Sequence, residues 1–179
     1  MEIELERTFL VKSLPNAIKN CDLAEIIDIY IPKTVDHPIL RIRKVGSVCQ
    51  ITKKAPTKGK DSSEQYEKTI PLSEEEYKEL STLEGKRLRK IRYYCPWEDK
   101  SVKNKTVEID VYLDDFKGLV TADFEFDSVV NKDNFLMPDF CLVEVTQAKY
   151  IAAGWLAGRK YSNIEPFLNK FNYKKCKKN

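Results

Sequence analysis

Residues 2–11 read Glu2-Ile3-Glu4-Leu5-Glu6-Arg7-Thr8-Phe9-Leu10-Val11. Successive side chains of an extended strand point to opposite faces, so Glu4, Glu6 and Thr8 share one face and Ile3, Leu5, Phe9 and Val11 the other. The stretch therefore reads as a strand with a charged side and a buried side. Strand signals recur at residues 25–31, 39–45, 47–54, 64–71, 87–95, 105–113, 119–127 and 141–146. Ser73, followed by Glu74-Glu75-Glu76 with Tyr77, Leu80 and Leu83 at helical spacing, marks a helix start. A Ser cap satisfies a free backbone N–H there, and carboxylates in the first turn suit the helix dipole. Residues 147–158 and roughly 164–171 read as further helices. The turn-rich segment 55–63, with Lys58 and Lys60, reads as a solvated loop, and the basic tail KKCKKN reads as frayed. The expected organisation is one α+β domain over residues 1–179, with 146–172 as a C-terminal helical segment.

The 179 residues are 42% hydrophobic and 33% charged, enough chain to bury a core without metal or disulfide staples. Thirty-one Lys and Arg against 28 Asp and Glu leave a net charge of +3, small for a general nucleic-acid binder. No apolar run approaches the roughly 18 residues of a membrane span. Met1 leads straight into charged residues, without the apolar core of a secretory signal. A cytoplasmic protein without a membrane or nucleic-acid partner is expected. Cys21, Cys49, Cys95, Cys141 and Cys176 are scattered and contain no CxxC pair. That pattern speaks against a disulfide framework and against structural zinc. His37, the single histidine, precedes Pro38 and reads as a loop residue, which excludes most histidine-based catalysis.

Strand parity sorts the charged residues into like-signed doublets. Glu4 pairs with Glu6, Arg41 with Arg43, Lys90 with Arg92, Glu108 with Asp110, and Asp123 with Glu125; Glu144 shares a face with Thr146. One lone strand of this kind is what a solvated sheet face produces. Several together are harder to place on a solvated face, where signs ordinarily mix because neighbouring like charges repel. Acids on some strands and bases on others suit a ligand carrying both a divalent metal and phosphates. Hard cations prefer oxygen ligands, and guanidinium and ammonium groups hold phosphate oxygens. A closed antiparallel barrel with a polar interior would bring all these faces together.

The same segments resemble the motifs of the CYTH superfamily, the triphosphate tunnel metalloenzymes. ELERTFLV is similar to that family's ExExK, LRIRK to its RxR strand, ITKKAP to its TxK strand and KIRYY to its KxRY. VEIDVYLDDFKGL resembles ExDxF…GL, ADFEF resembles ExE, and LVEVT resembles EVT. The order holds from residue 4 to about residue 146. The resemblance implies an α+β fold built on a closed eight-stranded antiparallel β-barrel, a tunnel with flanking helices. It implies Mg²⁺ or Mn²⁺ held by Glu4, Glu6, Asp123 and Glu125, and phosphates held by Arg41, Arg43, Lys54, Lys90 and Arg92. Catalysis would rest on Glu4, Glu6, Lys54, Lys90 and Arg92, with Glu67, Glu108, Asp110 and Glu144 as supporting tunnel acids. The implied ligand is a small triphosphate such as tripolyphosphate, ATP or thiamine triphosphate, and the implied assembly is a homodimer.

Two departures from the motifs hold three readings open. Thr8 stands where the first motif has Lys, keeping a hydroxyl but losing a full charge and several ångströms of reach. After EVT the chain continues Gln147-Ala148-Lys149-Tyr150, without the acid and the Arg-Tyr that follow in the family. Tyr150, Ile151, Trp155 and Leu156 read as packing that closes one end of the tunnel, and Lys149, Arg159 and Lys160 as surface residues. The first reading is a metal-dependent hydrolase of inorganic or small organic triphosphates. The second is a class IV-type adenylate cyclase, in which a ribose 3′-hydroxyl replaces water as nucleophile. The third is a nucleotide- or polyphosphate-binding protein without turnover.

Overall fold

Strand β1 (Glu2–Val11) is paired along both edges, and those pairings close the sheet. The computed structural model describes residues 2–57 and 61–176; the loop expectation at Lys58 and Lys60 lies outside them. Around the ring run β2 (Asp22–Ile31), β3 (Leu40–Val45), β4 (Val48–Pro56), β5 (Glu64–Leu72), β6 (Lys86–Pro96), β7 (Thr106–Tyr112) and β8 (Val120–Phe126). Their order is β5-β4-β3-β2-β6-β7-β8-β1, and β1 returns to pair with β5. Every neighbouring pair is antiparallel. The result is a closed eight-stranded antiparallel β-barrel in an α+β fold, flanked by helices α1 (Glu74–Leu80), α2 (Val129–Asn134), α3 (Ala153–Leu156) and α4 (Tyr161–Asn169). A ninth strand, β9 (Cys141–Glu144), joins β1 at Phe9–Val11, beyond the stretch that β5 occupies.

Parity decides which face of each strand is buried, and against what. The outward residues Phe9, Ile109, Ala122 and Phe124 are fully buried beneath α2 and the segment around Phe135 and Phe140. Phe9 meets Phe124 edge-on at 5.7 Å between ring centroids, and Phe124 lies 4.6 Å from Phe135. Burying an aromatic or aliphatic side chain of this size contributes about 1.5–3 kcal/mol. A second cluster joins Leu10, Tyr30, Leu88 and Tyr112 to Ile151, Trp155, Leu156, Ile164 and Leu168. The C-terminal segment therefore packs against apolar residues at one end of the barrel, as Ile151, Trp155 and Leu156 predicted. Ser73 caps α1 as expected: its hydroxyl accepts from the Glu76 N–H, and the Glu76 carboxylate accepts from the Ser73 N–H.

Three expectations are corrected. The helix expected over 147–158 is a series of turns ending in the four-residue α3. Val145 and Ile151 must both enter the apolar end of the barrel, and a continuous helix from Gln147 does not give that path. Cys21 and Cys95 form a disulfide, because the β2–β6 register sets Asp22 opposite Tyr94 and so brings the next pair outward together. The basic tail is anchored as far as Cys176, whose N–H donates to the Gly118 carbonyl at 3.0 Å. Among the described residues no helix is long and apolar enough to cross a membrane.

Candidate active site

The inward faces of the strands line one cavity of about 550 Å³. Glu4, Glu6, Arg41, Arg43, Lys54, Glu67, Lys90, Arg92, Glu108, Asp123 and Glu125 all line it, so the structure brings these residues to one interior. Asp110 lies behind this lining, fully buried, and takes both Lys90 and Arg92 as partners. Glu144 is a correction: it is not in the lining and pairs with the outward-facing Arg7 at 2.5 Å. Its strand ends at Glu144, so the two-residue period does not carry through to Thr146, which does line the cavity. Lys12 is exposed beyond the end of β1 and contributes nothing to the lining.

The carboxylates fall into two groups. One oxygen from each of Glu4, Glu6 and Glu125 lies within 4.8 Å of the others; Asp123 stands outside that trio. Burial first, and then the neighbouring Glu6, push the Glu4 carboxyl up to about 7. Burial, followed by Glu108 and Glu6, raises Glu125 as well. Three carboxylates pressed together at a cost in ionisation form a donor set suited to a hard divalent cation. Lys54 supplies the nearby positive charge, in contact with Glu4 and at 3.7 and 3.4 Å from Glu6 and Glu67.

The bases differ in how tightly they are held. Arg43 is clamped to Asp28 by two hydrogen bonds, 2.6 and 2.8 Å. Burial would raise Asp28, but Arg43 outweighs it and holds the carboxyl at about 2. Arg92 donates to both Asp110 oxygens at 2.7 Å and contacts Glu108. Among the described residues, Arg41 has only a 3.4 Å contact to the Tyr30 hydroxyl and a 3.9 Å approach to Glu67, and its buried Nε has no hydrogen-bond partner. A buried donor without an acceptor is costly, so of these bases Arg41 has the most donor capacity to spare.

Against solved structures, the chain is similar to the inorganic triphosphatase NE1496, with 26% identity and a TM-score of 0.63 over 89% of this chain and 97% of that one. The chain has the CYTH-type triphosphate-tunnel fold. It is also similar, at 15% identity and a TM-score of 0.54, to bh2851 of Bacillus halodurans, a protein provisionally described as an adenylate cyclase; the match covers 99% of this chain and 94% of that one. At that identity the likeness concerns the fold alone. No family model and no curated protein matches the chain.

Several tunnel residues were not singled out from the sequence. Asp28 sits in the apolar run EIIDIYI, and the available signal was that one acid on the face of Ile26 and Tyr30. Thr146 accepts from the Thr8 N–H at 3.0 Å, and the Val145 N–H donates to the Thr8 carbonyl at 2.8 Å. Gln147 joins the tunnel lining and ties down the β4–β5 loop: it accepts from the Ser62 N–H at 3.1 Å and donates to Asp61 at 2.7 Å. His37 lies in the β2–β3 loop, as expected, but also lines the tunnel. The expectation of surface positions holds for Lys149 and Lys160, both exposed, and Lys149 also borders the tunnel lining. Arg159, half-buried, pairs with Asp36.

Proposed function

We propose that the chain is a divalent-metal-dependent triphosphatase. The observation that carries this reading is the carboxylate trio Glu4, Glu6 and Glu125 in the same cavity as six lysines and arginines. NE1496, similar in fold, is an inorganic triphosphatase. Charge balance supports the dependence on metal. Glu4, Glu6, Asp28, Glu67, Glu108, Asp110, Asp123 and Glu125 are eight acids in and behind the lining, against Arg41, Arg43, Lys54, Lys90, Arg92 and Lys149, six bases. With the acids ionised the tunnel is not a cationic well, so a triphosphate is expected to enter with cations.

Mg²⁺ or Mn²⁺ held by Glu4, Glu6 and Glu125 would supply charge neutralisation and polarisation of phosphate oxygens. The chain's own residues do the rest. Arg41 donates to the phosphate chain through the N–H left free. Lys90 and Arg92, fixed by Asp110 and Glu108, present positive charge that needs no reorganisation as charge builds on the transferring phosphoryl group. Lys54 bridges the metal acids and the phosphates. No protein nucleophile is required, and the attacking water is aligned by a site already set in place.

The test is a product assay on tripolyphosphate, ATP and thiamine triphosphate with Mg²⁺ or Mn²⁺, resolving orthophosphate, pyrophosphate and cyclic AMP. Orthophosphate release that disappears in Glu4→Gln supports the hydrolase. Pyrophosphate with cyclic AMP would move the chain to the cyclases, and metal-dependent binding without product would make it a binder.

A further inference from the structure

Lysines are rarely buried unless paired, and Lys132 is 4% exposed although it does not line the tunnel. It stands on α2, the helix that follows β8. Its Nζ donates to the Ser63 Oγ at 2.8 Å and to a Glu64 carboxylate oxygen at 2.7 Å. Ser63 and Glu64 form the corner at which the β4–β5 loop enters β5. The strand between β8 and β5 in the ring is β1. Its outward Arg7 donates to the Lys132 and Phe135 carbonyls at 3.1 and 2.7 Å. One short helix therefore grips the three strands that carry Glu4, Glu6, Glu67 and Glu125.

The grip falls at a gap in the barrel's pairing. On the edge facing β5, β1 pairs with β5 over Glu2–Leu5 and with β9 only from Phe9 onward. Among the described residues no strand pairs with Glu6–Thr8 on that edge. The Glu6 N–H donates instead to the Ser63 carbonyl at 3.0 Å. Ser63 is braced in turn: its N–H and its hydroxyl both donate to Asp61 at 2.8 Å, which leaves the hydroxyl's lone pairs for Lys132. The Gln147 ties to Ser62 and Asp61 are exposed, whereas the bond from Lys132 to Ser63 is buried, and a buried charge is screened much less by salt. Inside the barrel the same seam is spanned by Lys54, which sits on β4 opposite Glu67 of β5 and reaches over to contact Glu4 and approach Glu6 at 3.7 Å. The place of the Ser63–Glu64 corner on β1 therefore sets where Lys54 stands relative to the carboxylate trio.

We propose that Lys132 is a positioning residue of this site: from outside the barrel it holds the β4–β5 hairpin to β1, and so holds Lys54 beside Glu4 and Glu6. The proposal rests on the triphosphatase reading for the task that Lys54 performs. When Glu4 and Glu6 hold a cation, charge repulsion weakens the tie from Lys54 to them. The tie from Lys132 to Ser63 and Glu64 lies outside the tunnel, so the seam then depends on it. Placement matters at this scale, because a shift of about 1 Å in a group that acts on the substrate can cost about a hundredfold in rate.

The experiment is a double-mutant cycle on tripolyphosphate hydrolysis with Mg²⁺. Lys132→Met, close in length and without charge, should lower kcat/KM about ten- to a hundredfold. In a Lys54→Met background the same change should cost less than about threefold, because the group that it positions is gone. Glu64→Gln, which leaves the ammonium an acceptor, should lower kcat/KM in the same direction with the same dependence on Lys54, and it serves where Lys132→Met does not fold. A second readout needs no ligand: in chelator, the Glu6 N–H should exchange with solvent about tenfold faster in Lys132→Met, while the Thr8 N–H, held by Thr146, keeps its wild-type rate. Equal losses in both backgrounds, or an unchanged Glu6 exchange rate, overturn the proposal and leave the triphosphatase reading standing. If wild-type protein turns over no triphosphate, the triphosphatase reading fails instead, and the same cycle in calorimetric Kd for tripolyphosphate, with the Glu6 exchange rate, decides the role of Lys132.

Discussion

Thr8 on β1 lies directly opposite Asp123 on β8. The Asp123 carboxyl is buried there, with Arg92 at 3.4 Å as its ion partner. Burial, followed by Glu6 and Asp110, pushes the Asp123 pKa well up. The threonine contributes no charge, and its backbone is engaged with Val145 and Thr146.

Thr8→Lys sets a cation opposite that carboxyl and lengthens the reach into the tunnel. Hydrolysis of tripolyphosphate should rise about tenfold, equivalent to roughly 1.4 kcal/mol of barrier. Steady-state phosphate release with saturating Mg²⁺ measures it. A rate equal to or below wild type would mean that Thr8 serves a ligand geometry in which lysine has no place.

Glu125→Gln removes one member of a self-repelling carboxylate trio. Mg²⁺ affinity should fall at least tenfold and metal-dependent activity with it. In chelator the variant should be the more stable protein, with a melting temperature about 2 °C higher, on the scale of 2–4 °C per kcal/mol for a chain of this size. Calorimetry with and without Mg²⁺ distinguishes this from simple misfolding, which would lower both transitions.

Asp28→Asn leaves Arg43 buried without its counter-charge. Removing one partner of a buried pair costs about 3–5 kcal/mol, and urea unfolding at pH 7 should register it. The pH dependence has a definite sign. Asp28 is depressed from 3.8 to about 2, so its contribution of about 2 kcal/mol is fully present above pH 4 and lost as pH falls through 2. Wild-type stability should show this loss below pH 4, and the Asn variant should lack that share of it.

Cys21→Ser opens a link between residues 74 apart in sequence. A crosslink typically stabilises by about 2–4 kcal/mol, chiefly through the unfolded chain. Under oxidising conditions the variant should unfold earlier than wild type, and with reductant the two should coincide. Thiol counting on protein taken from its own compartment matters too, since reducing cytosol disfavours such bonds. Five free thiols there would mean that the link does not form in the cell.

The strands were legible because alternation such as Glu4-Leu5-Glu6 reports a two-faced strand directly, and one parity rule then carried Arg41, Lys90, Glu108 and Glu125 to a common interior. That rule fails where the extended backbone stops. Glu144 is the last residue of β9, so its inward placement did not follow, and Thr146 reached the tunnel by a turn. The run Gln147–Ala152 has helix-forming composition, but its path is set by where Val145 and Ile151 find apolar partners. The Cys21–Cys95 pair depends on the register between β2 and β6, which local sequence does not encode. Asp28 was hidden for a related reason: its role exists only once β3 brings Arg43 alongside.

The way β1 is paired has a consequence for how the protein comes off the ribosome. The strand carrying Glu4 and Glu6 is made before any of its partners, which lie at Glu64–Glu67, Thr121–Phe126 and Cys141–Glu144. Pairings so distant in sequence form slowly and expose unpaired edges meanwhile. Hairpins such as β3–β4 and β7–β8 can form as they emerge, while β1 waits unpaired with Ile3, Leu5 and Phe9 along its apolar face. Glu4 and Glu6 are thus made before their partners and among the last residues assembled, and during that interval the nascent chain has most to gain from a chaperone.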